Sequence, residues 1–202
     1  SNLGDFDVES MRVADVPATS IDGWALAAAA QLQRNVRAAY ERCDFRRAHV
    51  AMFDFCNETL SAIYCVAVKD RLYCDRVDTQ RRRLTQTVLH EIASTLCRLL
   101  APILPHTADE AWRDLHGEDA CVHMEVFTDL DMEADANWPK VMAVRDEALK
   151  AMEEAKADGI ENPLDAGLVL PDPEGLLSPF EADLADLVGV SRVTLDQDAR
   201  AV

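Results

Sequence analysis

The side chains of this sequence that could do chemistry most directly are basic, and they are concentrated in residues 69–83, KDRLYCDRVDTQRRR. Six basic side chains face three aspartates in this basic segment: Lys69, Arg71, Arg76, Arg81, Arg82 and Arg83. Lysine and arginine bind phosphate and carboxylate groups through charge-assisted hydrogen bonds. The basic segment could therefore contact nucleic acid, dock an acidic partner or form a solvated helix end.

The rest of the chain is strongly acidic, but the acidic residues are unevenly distributed. The 202 residues have a formal net charge of −17. Residues 1–105 contain 13 Lys and Arg against 13 Asp and Glu, whereas residues 106–202 contain 7 against 24. Because nucleic-acid binding needs a basic surface, the net charge argues against a polyanionic partner for the second half of the chain and not for the first.

No motif in the sequence predicts a catalytic residue or a metal site. The six cysteines are separated by 13, 9, 9, 23 and 24 residues, so none has a close Cys or His partner at zinc-ligand spacing. The seven glycines form no phosphate-binding loop. His90 and His106 have local neighbours that favour a structural role. We predict no catalytic residue and no metal ligand.

The absence of long apolar runs and the use of cysteine both bear on where the protein acts. The sequence has no run of 18 apolar residues, so we expect no membrane span. Most cysteines lie in apolar stretches, where we expect them to act as small buried hydrophobic residues of a reducing compartment. We predict a cytoplasmic protein.

Apolar residues recur at spacings of three and four, which predicts five helices. The first helix begins at a cap on Ser20 or Asp22, and the second follows Asp44 and is about 25 residues long. The third helix runs from Asp78 or Thr79 towards Pro102, and the fourth begins at a Thr107–Glu110 capping box and ends at Gly117. The fifth helix runs from Asn137 to about Asp158. The first four have short connections, so we predict an antiparallel helical bundle.

The basic segment falls between the second and third predicted helices. A helix C-terminus favours cations, which explains Lys69 and Arg71 without a ligand. Arg81, Arg82 and Arg83 lie in the first turn of the third helix, where acidic side chains would be more favourable. We therefore expect something outside this helix to compensate them, either phosphate or an acidic patch of another domain.

The end of the chain has a different pattern from the bundle. Residues 166–170 and 191–195 have the composition of short strands, and between them we predict a helix capped by Ser178 with Pro179 at its first position. The predicted division is a lead-in segment at 1–21, a helical bundle at 22–136, and a long helix with a small α+β unit at 137–202.

Several of these motifs resemble a known family. YERCDF, then LSAIY followed by KDRLY, then LLAPILPHTADEAW occur in the order found in the anticodon-binding helical domain of bacterial-type isoleucyl-tRNA synthetases. The resemblance covers residues 2–158 and persists more weakly to the end. Valyl enzymes share the ending but carry a WY.E pattern where this chain has Leu60, Ser61, Ile63 and Tyr64, which favours the isoleucyl family.

The resemblance implies a role in tRNA binding. The family attaches isoleucine to its tRNA with ATP and magnesium held in a catalytic domain, whose HIGH and KMSKS signatures do not occur in this sequence. We therefore expect a non-catalytic, monomeric piece that binds the anticodon stem-loop beside the parent catalytic domain. It would need no cofactor of its own and would end before the zinc module of many bacterial members. The tRNA-binding candidates are Arg81, Arg82 and Arg83, with Lys69, Arg71 and Arg76 as weaker ones.

Two alternatives stay open at this point. The chain could be an acidic helical interaction or scaffold domain that docks proteins and never contacts RNA. It could also be the equivalent region of a valyl-type synthetase.

Overall fold

The helices predicted from apolar spacing dominate the computed structural model, which describes residues 3–157 and 167–197. The elements are α1 (Val8–Met11), α2 (Ile21–Glu41), α3 (Phe45–Asp54), a π-helix (Phe55–Tyr64), α4 (Cys65–Tyr73), α5 (Gln80–Leu100), α6 (Pro105–His116), a 3₁₀ turn (Val122–Met124), α7 (Trp138–Ala157), β1 (Gly167–Pro171), a 3₁₀ turn (Ser178–Phe180), α8 (Glu181–Val188) and β2 (Arg192–Asp196). The prediction of a mainly helical chain with a small α+β unit is confirmed. The predicted end of α7 near Asp158 lies outside the described residues.

Capping residues explain where the first helices begin. The hydroxyl of Ser20 accepts a hydrogen bond from the backbone N–H of Gly23, so Ser20 and not Asp22 caps α2. The carboxylate of Asp44 accepts from the backbone N–H of Arg47 and caps α3, as predicted. The capping box at Thr107 was wrong, because α6 already begins at Pro105 and Thr107 lies inside it. Proline at a first helical position needs no N–H partner.

The second predicted helix is not a uniform α-helix. Its middle, Phe55–Tyr64, is a π-helix, and the backbone N–H of Cys65 donates to the carbonyl of Leu60, five residues earlier. At about 100° per residue, an α-helix would place Phe55 and Tyr64 on opposite faces. Both are buried in the same core, because the wider turns underwind the chain between them.

This underwinding decides which residues of α4 point inwards. In a continuous α-helix from Phe55, the inward positions would fall near Val66 and Asp70. In the structure both of these are exposed, whereas Val68 and Arg71 are buried. The π-helix therefore turns Arg71 of the basic segment towards the interior.

The C-terminal unit is a small β-α-β arrangement. β1 and β2 pair in parallel, with Leu168 opposite Val193 and Leu170 opposite Leu195. α8 connects them, and the carboxylate of Asp172 accepts hydrogen bonds from the backbone N–H groups of Leu177 and Ser178. Asp172, rather than the predicted Ser178, thus satisfies the donors ahead of α8.

One hydrophobic core joins the bundle to the C-terminal unit. Buried apolar residues from α2, the α3–α4 helix, α5, α7 and α8 form a single cluster, which includes Val36, Val88, Trp138 and Leu184. The tryptophans take part in the packing: Trp112 and Trp138 are buried, and Trp24 packs beside Trp138 with ring centroids 6.0 Å apart. The boundary that we predicted at 136–137 does not divide this core.

Truncating a core side chain of the C-terminal unit should weaken the whole fold. Leu184 of α8 is 2% exposed, so we expect Leu184→Ala to lower the free energy of unfolding by about 2–5 kcal/mol. Urea unfolding followed by helical circular dichroism measures this change. Val169→Ala, in β1 but largely exposed, should cost less than about 1 kcal/mol. Unchanged unfolding of the helices in Leu184→Ala would show that the two parts do not share one core.

Candidate nucleic-acid interface

Arg71 forms a buried ionic centre instead of facing solvent. Its side chain is 1% exposed, and each guanidinium nitrogen contacts a different carboxylate. Nε lies 2.8 Å from Asp186, Nη1 lies 3.0 Å from Asp22, and Nη2 lies 2.5 Å from Asp183. These acids come from α2 and α8, so one arginine of α4 links three helices. We therefore assign Arg71 to this centre and leave it out of the interface.

Further hydrogen bonds satisfy the carboxylates of the Arg71 centre. The buried hydroxyl of Tyr64 donates to Asp22 at 2.6 Å, and the backbone N–H of Ile21 donates to Asp183 at 2.7 Å. Burial raises the pKa of Asp22, while Arg71 and Tyr64 act to lower it. Burial also opposes the charge of Arg71, but the three carboxylates raise its pKa despite this. The centre is thus held together by mutual compensation of groups that would be unfavourable alone.

Carboxylates of the chain itself compensate the arginines at the start of α5. Arg81 lies 3.2 Å from Asp75 and 3.5 Å from Asp186 of α8. Arg82 is buried and lies 2.9 Å from Asp5 of the lead-in segment. Of the two compensating groups that we expected, phosphate or an acidic patch, the structure supplies acidic side chains at Arg81 and Arg82.

The remaining basic side chains of the basic segment differ in their exposure to solvent and in the contacts that they form. Arg83 donates to the carbonyl of Asp5 at 3.2 Å and to the side chain of Gln86 at 3.0 Å. Arg76 is 82% exposed and pairs with the exposed Asp78, a contact that solvent screens strongly. Lys69 is exposed and forms no ion pair with any residue that the structure describes. Lys69, Arg76 and the half-exposed Arg81 are therefore the accessible cations of the basic segment.

A second group of arginines was missed from the sequence. Arg42, Arg46 and Arg47, around the turn between α2 and α3, are exposed and form no ion pair within the described part of the chain. Charge counting hides them, because Glu41, Asp44 and Asp54 lie close in sequence. The available signal was the preference of a helix start for acids, which we applied to α5 and not to α3.

Comparison with known proteins agrees with the helical fold and with the motifs. Residues 22–165 match the family model described as the anticodon-binding domain of tRNA ligase. The chain belongs to this family. No helix among the described residues is long and apolar enough to cross a membrane.

Three curated relatives of this anticodon-binding domain are named isoleucine–tRNA ligase. It is 38% identical over 95% of its length to an isoleucine–tRNA ligase of Brevibacillus brevis, 35% identical over 96% to one of Brachyspira hyodysenteriae, and 36% identical over 98% to one of Bordetella pertussis. The chain spans about a fifth of these relatives, 22%, 22% and 23% respectively.

Two of the five histidines, His90 and His116, lie in a cluster where α5 meets α6. His90 is buried, and its ring centroid is 5.1 Å from that of His116. His116 also stacks on Trp112 at 3.8 Å and lies 3.0 Å from the hydroxyl of Ser94. Burial lowers the pKa of both imidazoles, and the nearby His90 lowers that of His116 further. Two neutral rings in a packed cluster agree with the structural role predicted for His90. His106 is exposed at the start of α6.

No group of three or more histidine, cysteine, aspartate or glutamate side chains in the described ranges 3–157 and 167–197 is arranged to hold a metal ion. The prediction that most cysteines are buried was wrong, because Cys43, Cys65 and Cys74 are exposed and of the six cysteines only Cys97 is buried.

Removing the charge of Arg71 should strongly destabilise the domain. In Arg71→Met the three carboxylates would stay buried without a cation, and breaking such a centre costs about 3–5 kcal/mol. We expect the midpoint of urea unfolding to fall accordingly. Lys69→Met, two residues away and exposed, is the matched control and should change stability by less than about 0.5 kcal/mol. Equal stability of the two variants would show that the centre contributes nothing.

The stability of the domain should fall when the pH is lowered from about 7.5 to 5.5. The folded pKa of His90 is depressed, so below the unfolded pKa of about 6.5 the unfolded state binds more protons and is favoured. Each histidine with a depressed pKa can lower the free energy of unfolding by up to about 1.4 kcal/mol for each pH unit.

Melting temperatures across this pH range measure the effect. His90→Leu should flatten the pH dependence, whereas His123→Leu, at an exposed position, should leave it unchanged. An equal slope in His90→Leu and the unaltered chain would contradict the assignment to His90.

Proposed function

We propose that the chain is the tRNA-binding part of an isoleucine–tRNA ligase and that it holds the anticodon stem-loop of isoleucine tRNA. The observation that carries this proposal is the set of basic side chains on the first half of the chain that no carboxylate neutralises. Arg42, Arg46, Arg47 and Lys69 are exposed and form no ion pair with a described residue. In a chain of net charge −17, cations left without an ion pair at two separate places, the turn between α2 and α3 and the end of α4, are suited to binding an anionic partner.

The arrangement of the helices supports the same function. Asp22, near the start of α2, contacts Arg71 near the end of α4. Tyr40, near the end of α2, donates to the carbonyl of Leu99 near the end of α5. We propose that these helices form the antiparallel bundle expected for the family, so that the turn between α2 and α3 lies at the opposite end from the basic segment.

We propose different roles for the catalytic domain of the parent enzyme and for this chain. The ligase would form isoleucyl-adenylate from ATP, with magnesium, in its catalytic domain, and this chain would hold the tRNA in register with that domain. The chain itself would be cytoplasmic, monomeric, non-catalytic and free of cofactors. Among the candidates from the sequence, Lys69, Arg76 and Arg81 remain proposed phosphate contacts, and Arg83 is a partly engaged one. Arg71 and Arg82 would act only by supporting the fold.

Binding to tRNA should be salt-dependent and should involve Lys69 and Arg76. We expect the chain to bind isoleucine tRNA, with an affinity that falls linearly against the logarithm of salt concentration. In Lys69→Gln/Arg76→Gln the magnitude of this slope should decrease by roughly one to two units, because each lost phosphate contact removes about 0.7 to 0.9. Fluorescence anisotropy at two or more salt concentrations measures both quantities.

The matched control for charge is Lys140→Gln/Lys150→Gln. These lysines are exposed on α7 in the acidic half of the chain, and their removal should leave the slope unchanged. A tRNA of another amino acid tests specificity. Absence of salt-dependent binding to any tRNA would favour the alternative of an acidic protein-docking domain, and equal effects of the two double variants would remove Lys69 and Arg76 from the interface.

A further inference from the structure

We infer that a cleft between α1, α5 and the loop at residues 128–132 binds a small zwitterionic molecule, of the size of an amino acid or a dipeptide. The cleft has a volume of about 700 Å³, which is in the range of small-molecule sites. We name it the charged cleft, and its polar lining includes Arg98, His90, Ser94, Asp15 and Asp131. The inference does not depend on tRNA binding.

One face of α5 is polar where it lines the charged cleft. Thr87, His90, Ser94 and Arg98 follow one another at spacings of three and four residues, so they share this face. Thr87 and Ser94 are each 3% exposed, and His90 is 9% exposed. Because buried polar groups in proteins nearly always form hydrogen bonds, the partner of each of these side chains has to be identified.

Two of the four side chains are satisfied by the chain itself. The hydroxyl of Thr87 donates to the carbonyl of Arg83 at 2.8 Å and accepts from the backbone N–H of Val13 at 3.1 Å. The hydroxyl of Ser94 lies 3.0 Å from Nε2 of His116. Neither hydroxyl therefore needs a ligand.

The guanidinium of Arg98 is not satisfied in this way. Its side chain is 17% exposed, and Nη2 lies 3.7 Å from Glu125, which is too long for a hydrogen bond. Nε of Arg98 and Nδ1 of His90 are buried without a hydrogen-bond partner among the described residues. The ring of Trp112, 4.6 Å from the guanidinium carbon, attracts the charge but accepts no conventional hydrogen bond.

The buried Arg71 shows what such a charge normally requires. Each of its guanidinium nitrogens contacts a carboxylate, and this compensation is what makes burial of the charge tolerable. Arg98 has one distant carboxylate within the described part of the chain. The inner wall of the charged cleft is therefore complementary to an anionic group of a ligand.

The rim of the charged cleft carries the opposite charge. Asp15 and Asp131 are exposed and form no ion pair with a described residue. Two other acids of the lining are already paired, because Glu91 lies 3.0 Å from Arg12 and Asp129 contacts an arginine of α2. The rim is therefore complementary to a cationic group.

This separation of charge selects the class of ligand. A simple anion would be attracted by Arg98 and repelled by the aspartates of the rim, and a simple amine would experience the reverse. A molecule with a carboxylate at one end and an ammonium group at the other is attracted at both places. Its carboxylate would accept hydrogen bonds from Arg98, and its ammonium group would contact Asp15 or Asp131.

Dipeptides with one end blocked test the need for both charges. We expect alanine and alanyl-alanine to shift the backbone amide resonances of Ser94 and Met132 saturably in an NMR titration, while resonances of α7 stay unchanged. N-acetyl-alanyl-alanine lacks the ammonium group and alanyl-alanine amide lacks the carboxylate, so each should bind about tenfold more weakly than alanyl-alanine. Equal affinity of the acetylated and free dipeptides would show a general anion site and refute the inference. Absence of saturable shifts with both free probes would also refute it.

Arg98→Met tests the inner wall. It removes the charge but keeps an unbranched side chain against Trp112, and it should weaken binding of alanyl-alanine about tenfold or more. Because Arg98 has no close carboxylate to leave unpaired, the midpoint of urea unfolding should fall much less than in Arg71→Met. Arg34→Met, exposed on α2 and outside the charged cleft, is the matched control and should bind like the unaltered chain. Unchanged binding in Arg98→Met would overturn the site.

Asp15→Asn/Asp131→Asn tests the rim at two exposed positions. This double variant should bind alanyl-alanine about tenfold more weakly, and it should bind the acetylated dipeptide more tightly, because the repulsion at the rim is removed. Glu153→Gln/Glu154→Gln, exposed on α7, removes the same charge elsewhere and should change neither affinity. A double variant at the rim that still prefers the free dipeptide to the same degree would contradict the zwitterionic ligand. The salt dependence of tRNA binding tests the proposed function separately.

Discussion

The contact of Arg71 with Asp22, Asp183 and Asp186 is the interaction on which the arrangement of this domain depends. An isolated charge in this position would be strongly unfavourable, and four charges are tolerated only because every guanidinium nitrogen has a carboxylate. That requirement is geometric as well as energetic. It fixes α8 against α2 and α4, so the α+β unit is docked by direction-dependent contacts in addition to the shared apolar core.

The π-helix is the local feature that makes this centre possible. Without its wider turns, Arg71 would lie about 160° from Phe55 around the helix and would point away from the acids of α2 and α8. Underwinding between Phe55 and Tyr64 brings Tyr64 and Arg71 to the same side, where both contact Asp22. A local departure from regular helix geometry thereby serves a contact with residues more than a hundred positions away.

Much of the fold could be predicted from the sequence, because helix periodicity and caps are local properties. The starts at Ser20 and Asp44 and the two short strands follow from residues within a few positions of each other. The π-helix could not be predicted, since apolar residues occur on several faces of residues 55–64. The partners of Arg71 and Arg82 could not be predicted either, because Asp183 and Asp5 are distant in sequence. The candidate site was predicted from the local density of basic residues. Contacts with residues distant in sequence determine which of these side chains are left without an ion pair, and local patterns do not predict such contacts.

The uneven distribution of charge explains how a chain of net charge −17 could still bind a polyanion. Two acidic residues of the second half, Asp183 and Asp186, lie beside Arg71 and Arg81, whereas Asp129 pairs with Arg37 in the last part of α2. The helix from Phe45 to Tyr73 is roughly 40 Å long at about 1.5 Å per residue, whereas charges in 0.1 M salt are screened over about 10 Å. A polyanion at the turn between α2 and α3 would therefore experience Arg42, Arg46 and Arg47, together with the neighbouring Glu41 and Asp44, far more strongly than the carboxylates around Arg71. Local charge, and not net charge, determines which surface of such a domain can bind RNA.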